Sequence, residues 1–359
     1  MSTTTIEWTD RTWNPIRGCS RVSEGCRNCY AERVAARFVK PGQPFHGFAK
    51  VVAPRDQLDR VGGRRNGWTG RVELVPSKLA DPLRWRKPRR IFVNSMSDLF
   101  HESLPDEAID SVFFAMAMAP QHQYQILTKR ARRMREFMTK PMSVERLPLA
   151  LAYMPASMRS RSIPTGPASW IQDGVWTLPN VWLGVSVEDQ ATADARIPLL
   201  MTTPAAVRFV SYEPALGPVD FDPFLHDSIC PRAARGDAGS EMGPVSKSPE
   251  CYCDEPREDH VDWLIVGGES GPGARPFDIG WARSTIAQCK AAGVPCFVKQ
   301  LGAAPYDAHP FVVGNRWYLG APRKSGDPSV RRLNDRKGGD SSEWPEELRV
   351  REFPAAVAP

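Results

Sequence analysis

Short apolar runs, each closed by a polar or glycine-containing turn and followed by a helix-like stretch, set the rhythm of this chain. The clearest runs cover residues 91–94, 124–127, 181–187, 207–212, 263–266 and 295–298. Around them, helix-like segments occupy 30–38, 105–119, 131–139, 191–200 and 281–292. Six or more βα units in series predict an α/β fold on a parallel sheet, with an incomplete barrel as the expected form. Polar residues gather where the runs end: Asn94, Ser95, Ser97 and Asp98; Thr128 and Lys129; Ser186 and Glu188; Ser211 and Glu213; Glu269 and Ser270. Carboxyl ends of parallel strands form the active-site face of such folds, so five polar ends in register point to a polar cavity. Helix caps and ordinary loop polarity account for any one of them equally well.

Two segments break the rhythm and read as insertions: residues 141–178, rich in Pro, Ser, Met and Arg, and residues 225–260, with Gly, Ser, Pro, acidic residues and three cysteines. The main body is expected over 1–321 and a polar extension, centred on Lys337-Gly338-Gly339-Asp340, over 322–359. No internal repeat is found.

Composition narrows the class. With 359 residues, 42% hydrophobic and 25% charged, disorder of the whole chain is excluded. The formal charge of +6, with short basic runs at 84–90 and 129–135, permits a nucleic-acid partner without requiring one. The start, Met-Ser-Thr-Thr-Thr-Ile-Glu-Trp, has no basic and apolar leader pattern, and no apolar stretch nears the roughly 18 residues of a membrane span. The expectation is a cytoplasmic protein whose eight cysteines are reduced and serve as ligands, nucleophiles or buried small hydrophobes.

The strongest local signal is Cys19, Cys26 and Cys29, a C-x6-C-x2-C loop set among glycines just before a predicted helix. Spacing alone leaves three readings open: an iron-sulfur cluster, a zinc knuckle completed by a distant residue, and thiols with no shared role. Three thiolates leave one iron of a four-iron cluster open, the position at which S-adenosylmethionine (SAM) chelates; structural zinc usually takes four protein ligands. Cys230, Cys251 and Cys253, with His260 or Asp254 nearby, are candidates for a second site inside the later insertion, with structural zinc as the leading ligand reading. Cys289 and Cys296 read as core thiols.

Several blocks together carry a resemblance: Trp8-Thr9-Asp10 with Trp13-Asn14-Pro15, the cysteine loop with Tyr30-Ala31-Glu32, Asn94-Ser95-Met96-Ser97-Asp98-Leu99-Phe100-His101, Leu127-Thr128-Lys129-Arg130, Gly184-Val185-Ser186-Val187-Glu188, Ser211-Tyr212-Glu213-Pro214 and Gly267-Gly268-Glu269-Ser270-Gly271. In these the chain resembles a phage and bacterial family known by its three-cysteine motif and regarded as similar to radical SAM proteins. The loop departs from the usual C-x3-C-x2-C of that superfamily, and Asn28 stands where an aromatic residue usually precedes the last cysteine. The resemblance implies a radical-SAM-like partial TIM barrel, a 4Fe-4S cluster on Cys19, Cys26 and Cys29, and SAM as co-substrate. It implies contacts to SAM from Asn94, Ser95, Ser97 and Asp98, from Lys129 and Ser186, and from the wall formed by Gly267, Gly268 and Glu269. Cap, tight-turn and solvated-helix readings stand beside each of these. Glu188 and Glu213 are the candidate acid-base carboxylates, or else scaffolding, and His101 is weighed in the same way.

Partners implied are an electron donor such as flavodoxin or ferredoxin and a companion protein encoded nearby. The substrate expected is a nucleobase or nucleotide in DNA or RNA, with Trp8 and Trp13 as stacking candidates or core residues. The rival class is a zinc-stabilised, non-catalytic nucleic-acid-binding or adaptor protein.

Overall fold

Seven strands make one parallel sheet: β1 (Arg11–Trp13), β2 (Arg90–Val93), β3 (Gln123–Thr128), β4 (Val181–Val187), β5 (Val207–Tyr212), β6 (Trp263–Gly267) and β7 (Cys296–Gln300). The structure is a computed structural model and describes residues 4, 6–52, 65–141, 152, 177–225, 260–271, 273–307, 311–313, 316–318 and 333–355. Every neighbour in the sheet is the next strand of the sheet in sequence, and every pairing is parallel. Parallel crossovers are right-handed, so a strictly sequential order sends the connecting helices to one face and leaves the other concave. The sheet curls into a half-barrel; β1 and β7 stand at its two ends, so among the described residues it does not close as a TIM barrel does.

The helices are α1 (Tyr30–Ala35), α2 (Asp106–Ala117), α3 (Ala131–Met138), α4 (Gln190–Met201) and α5 (Ile279–Ala292). Local chemistry sets their ends. Asp189 accepts the Thr192 amide at 2.9 Å while the Thr192 hydroxyl accepts the Asp189 amide at 3.0 Å, a reciprocal cap that starts α4. Asp278 accepts the Gly280 amide at 2.9 Å to start α5, and Gly293, at φ +73°, ends it in the left-handed conformation. The predicted helix over 30–38 is six α-helical residues followed by a 3-10 turn at Ala36–Phe38.

Strands β4 and β5 match the predicted runs residue for residue, and both are buried on both faces, which is why they read as continuous apolar runs. Strand β1, Arg-Thr-Trp, buries only Trp13 and escapes a search for apolar runs. On the convex face, Ile91, Val93, Ile126, Leu183, Val185, Val210 and Leu264 belong to the core that includes Phe113, Met116, Ile197 and Leu200 of the helices. On the concave face, Phe92, Trp182, Phe209, Trp263 and Phe297 pack with Trp8 from before β1 and Phe353 from the far end of the chain. Trp13 is also buried, with its indole N–H donating to the Lys78 carbonyl at 2.8 Å; both tryptophans beside the cysteine loop thus fill cores and do not present stacking surfaces.

Gly184 lets the Phe209 ring lie on β4: a Cβ there would come within 2.5 Å of the ring. Gly184→Ala is expected to cost about 1–3 kcal/mol by overpacking, read as a lower urea midpoint at unchanged slope.

The described part of the segment expected as an extension belongs to the same body. Leu301 donates its amide to the Gly338 carbonyl at 2.8 Å, Val298 to Val350 at 2.8 Å, and Glu352 to Cys296 at 2.9 Å, while Trp344 and Leu348 are buried in the convex core. Residues 350–352 thereby cover the free edge of β7. Beyond the sheet, Ile16–Arg17 pairs antiparallel with Glu73–Leu74, and Ala49–Val52 with Arg65–Trp68. Most of the two expected insertions, residues 142–151, 153–176 and 226–259, lies outside the described residues. No helix among the described residues is long and apolar enough to cross a membrane.

Candidate functional site

Alternate residues of each strand face the concave side, and on β4, β5 and β7 they change from aromatic to polar toward the carboxyl end. On β4 the inward series is Trp182, Gly184, Ser186 and then Glu188; on β5 it is Phe209, Ser211 and then Glu213; on β7 it is Phe297 and Lys299. The half-barrel thus has an aromatic base and a polar rim. The five polar strand ends picked out in the sequence meet at this rim.

Glu188 stands at the end of β4. It is buried, it accepts from Lys129 Nζ, from Arg196 Nη1 at 3.0 Å and from the Ser23 hydroxyl at 2.9 Å, and Lys129 also donates to Ser186 Oγ at 2.6 Å. Burial pushes its carboxyl up, but Lys129 and Arg196, with the hydrogen bonds of Lys129 and Ser23, outweigh this and hold it below the ordinary glutamate value. Gly25 sits directly against this carboxylate, where a Cβ would come within 2.3 Å of Oε1. The end of β4 is therefore the seat of the cysteine loop.

Glu269 holds the other side of that loop. It accepts from Asn28 Nδ2 at 2.8 Å and from Arg275 through Nη2 at 2.7 Å, Nε at 3.1 Å and its backbone amide at 2.9 Å. Burial opposes its ionisation, and Arg275 and Asn28 more than offset this, so its pKa too is lowered. Asn28, at the position where an aromatic residue was expected, thus ties the loop to β6. The glycines beside Glu269 are explained by the chain's own packing: a Cβ on Gly268 would meet the Leu301 carbonyl at 2.4 Å, and one on Gly267 would meet Glu213 Oε1 at 2.5 Å.

Asp98 is buried and bonded on both oxygens. Oδ1 accepts from the Thr128 hydroxyl at 2.7 Å and the Phe100 amide at 3.0 Å; Oδ2 accepts from Arg130 Nη1 at 2.9 Å and the Lys129 amide at 3.3 Å. Arg130 carries the link onward to Ser20, donating to its hydroxyl at 2.8 Å. His101 Nδ1 accepts the Ser103 amide at 3.1 Å, so the neutral ring donates from Nε2 to the Ser20 hydroxyl at 2.8 Å; burial and Arg130 keep its pKa low. Ser97 Oγ donates to the Ile16 carbonyl at 3.0 Å, Ser95 Oγ to Asn14 Oδ1 at 3.3 Å, and Asn94 Oδ1 accepts the Ile16 amide at 3.2 Å. These three residues fix the segment that enters the cysteine loop. Asn94, at φ +60°, leaves its side-chain Nδ2 buried without a partner. Glu213 is less committed than the other rim carboxylates: Oε2 accepts from Ser211 at 3.2 Å and from Lys299 Nζ at 3.3 Å, while Oε1, 3.1 Å from Lys299 Nζ, is left without a hydrogen bond.

Cys19, Cys26 and Cys29 are free, partly buried thiols. Burial pushes the Cys19 thiol up to about 12, with Asp98 and the other two cysteines adding to the rise and Arg130 opposing it. Burial also raises Cys29; the amides of Glu32 and Ala31 oppose this, and Cys26 adds to it. The three belong to one loop, in which the Cys29 amide donates to the Cys26 carbonyl at 3.3 Å; Arg21 lies within that loop and Arg130 donates to the Ser20 carbonyl beside Cys19 at 3.1 Å. Three soft donors flanked by two guanidinium groups fit a thiolate-bound group of net negative charge, whose binding would displace the thiol protons. Among the described residues, no three His, Cys, Asp or Glu side chains are arranged to hold a single metal ion. Cys230, Cys251 and Cys253 lie outside the described residues.

Above the loop, α1 crosses the mouth: the Tyr30 hydroxyl donates to the Ser95 carbonyl after β2, and Arg33 donates to the Ser270 carbonyl after β6 at 3.2 Å. Lys299, Arg196 and Arg275 were not picked out in the sequence. A signal existed for two of them: Arg196 interrupts the apolar stripe Ala193, Ile197, Leu200 of α4, and Lys299 falls two residues after Phe297, at the next inward position of a strand that begins Cys-Phe-Val. Arg275 lies in a loop and had none.

Comparison with curated proteins returns no match, and comparison with solved structures returns none either. A family model does match, over residues 3–341, nearly the whole chain. The chain belongs to the family described as "Protein of unknown function (DUF5131)".

Proposed function

We propose that this chain is an iron-sulfur enzyme of radical SAM type: Cys19, Cys26 and Cys29 hold a 4Fe-4S cluster, SAM binds at its open iron, and the substrate is a nucleobase or nucleotide in DNA or RNA. The observation that carries the reading is the placement of three free thiols in one loop, seated on Glu188 and Glu269 over the polar mouth of a half-barrel. When bound, the cluster supplies the electron that cleaves SAM to methionine and a 5'-deoxyadenosyl radical. The chain's own residues do the positioning. Glu188 and Glu269 fix the loop from two sides, and Asp98 with Arg130 and Ser20 fixes its first turn. The unpartnered Asn94 amide and the Glu213–Lys299 pair are the polar groups left to meet SAM or substrate. The aromatic base keeps water from the floor of the site. A flavodoxin or ferredoxin is the electron donor that this chemistry calls for.

The test is anaerobic reconstitution with iron and sulfide of the wild type and Cys26→Ala, with assays for iron, zinc, visible absorbance and, after dithionite and SAM, 5'-deoxyadenosine. The expected result is a brown wild type near four irons per chain that releases 5'-deoxyadenosine, and a variant that does neither. A colourless protein that takes up only zinc would overturn the reading in favour of a zinc-stabilised binding protein. A cluster without SAM cleavage would reduce it to a structural role.

A further inference from the structure

Residues 14–52 hold seven Lys and Arg against two Asp and Glu, an excess of five. Of the two acids, Glu32 is buried and bonded to Arg21 at 2.6 Å, leaving Glu24 as the exposed one. The same segment contains the exposed large apolar side chains found among the described residues: Val22, Tyr30, Phe38 and Val51, each 41–45% exposed. It forms one structural unit, with the cysteine loop tied to α1 through Arg21 and Glu32, and the 3-10 turn at Ala36–Phe38 packed on the strand Ala49–Val52. Positive charge and exposed large apolar side chains thus occur together in this segment.

We infer that this cap is a binding surface for single-stranded nucleic acid. Exposed aromatic rings among cationic side chains give bases a surface to stack on and phosphates their counter-charges, and this pairing tolerates any sequence. Tyr30 and Phe38 supply the rings; Arg27, Arg37, Lys40 and Lys50 are the exposed cations around them. Tyr30 also reaches into the mouth through its bond to Ser95, so a strand lying on the cap passes over the opening of the half-barrel. The inference deepens the function proposed above by placing its substrate, but binding to the cap does not itself need the cluster.

The experiment is fluorescence anisotropy of labelled mixed-sequence single-stranded DNA and RNA of about 20 nucleotides with the full chain. It is run at about 50 to 200 mM salt. Iron is assayed in parallel, and the chain is measured as purified and after reconstitution, so that failure of the cluster and failure of the surface are separately visible. Phe38→Ala is expected to weaken binding by about 5- to 100-fold. Arg37→Ala with Lys40→Ala is expected to lower the slope of log affinity against log salt by about 1.4. All three residues are exposed, and unchanged thermal melting shows that the variants fold. Equal binding by wild type and variants, or no binding of either strand, would overturn the inference. So would variants that bind nucleic acid normally but lose reduction by an acidic flavodoxin, which would make the cap a docking face for the electron donor.

Discussion

Glu188→Ala lowers the unfolding free energy by about 3–5 kcal/mol, the usual cost of removing one partner from a buried ion pair. The loss leaves Lys129 and Arg196 facing each other without their carboxylate and takes away the acceptor of Ser23. Urea titration at neutral pH measures it. The pH dependence gives a second check. Because the folded carboxyl has a pKa below its ordinary 4.5, its stabilisation is fully present above that value and is lost as pH falls through the lower folded value. Wild type should therefore lose stability more steeply below pH 4.5 than Glu188→Gln, which keeps the shape without the titration. A wild type and Gln variant with parallel acid profiles would show that Glu188 is not ionised in its pair. On the proposed function, iron uptake should also fall in Glu188→Ala, because the cysteine loop loses its seat on β4.

Trp263→Ala is expected to cost a similar amount, about 3–5 kcal/mol, for another reason. Trp263 is the centre of the concave core: its ring lies 5.9 Å from Trp182, 6.3 Å from Trp8, 5.8 Å from Phe209 and 5.3 Å from Phe353, centroid to centroid. Its indole N–H donates to the Glu352 carbonyl at 2.9 Å. Truncation opens a cavity and also releases the segment that covers β7. Limited proteolysis beside Arg351 should accelerate along with the fall in urea midpoint, whereas a cavity effect alone would leave cleavage there unchanged.

The apolar runs located six of the seven strands because a strand buried on both faces has no polar period to obscure it. Strand β1 was hidden because an edge strand of three residues with one buried side chain carries almost no pattern. The polar strand ends were legible as a set, but their division of labour was not. Asp98, Glu188 and Glu269 look alike in sequence, each a carboxylate after an apolar run, and their cations stand at unequal separations: Arg130 32 residues on, Arg196 8 and Arg275 6. Only folding shows that these three are bonded into the scaffold while Glu213 keeps an oxygen without a hydrogen bond. The polar end of the chain, set apart by composition, packs through the close approach of Gly338 to Gly302 and through Trp344, two features that average composition conceals.

The anchors of the cysteine loop have a consequence for the order of events during synthesis. Ser23 and Glu188 are 165 residues apart, and Asn28 and Glu269 are 241 apart. The strands are translated in the order in which they sit in the sheet, so each can dock on its predecessor as it emerges. The three cysteines leave the ribosome at the start of that process; the Glu188 seat follows about halfway along the chain and the Glu269 seat only at about three quarters. During that interval they are ordinary solvent-accessible thiols, open to oxidation and to stray metal ions. Loading of the proposed cluster would therefore belong after completion of the half-barrel, and production under conditions that protect thiols during translation should decide how much of the chain keeps these three thiols reduced.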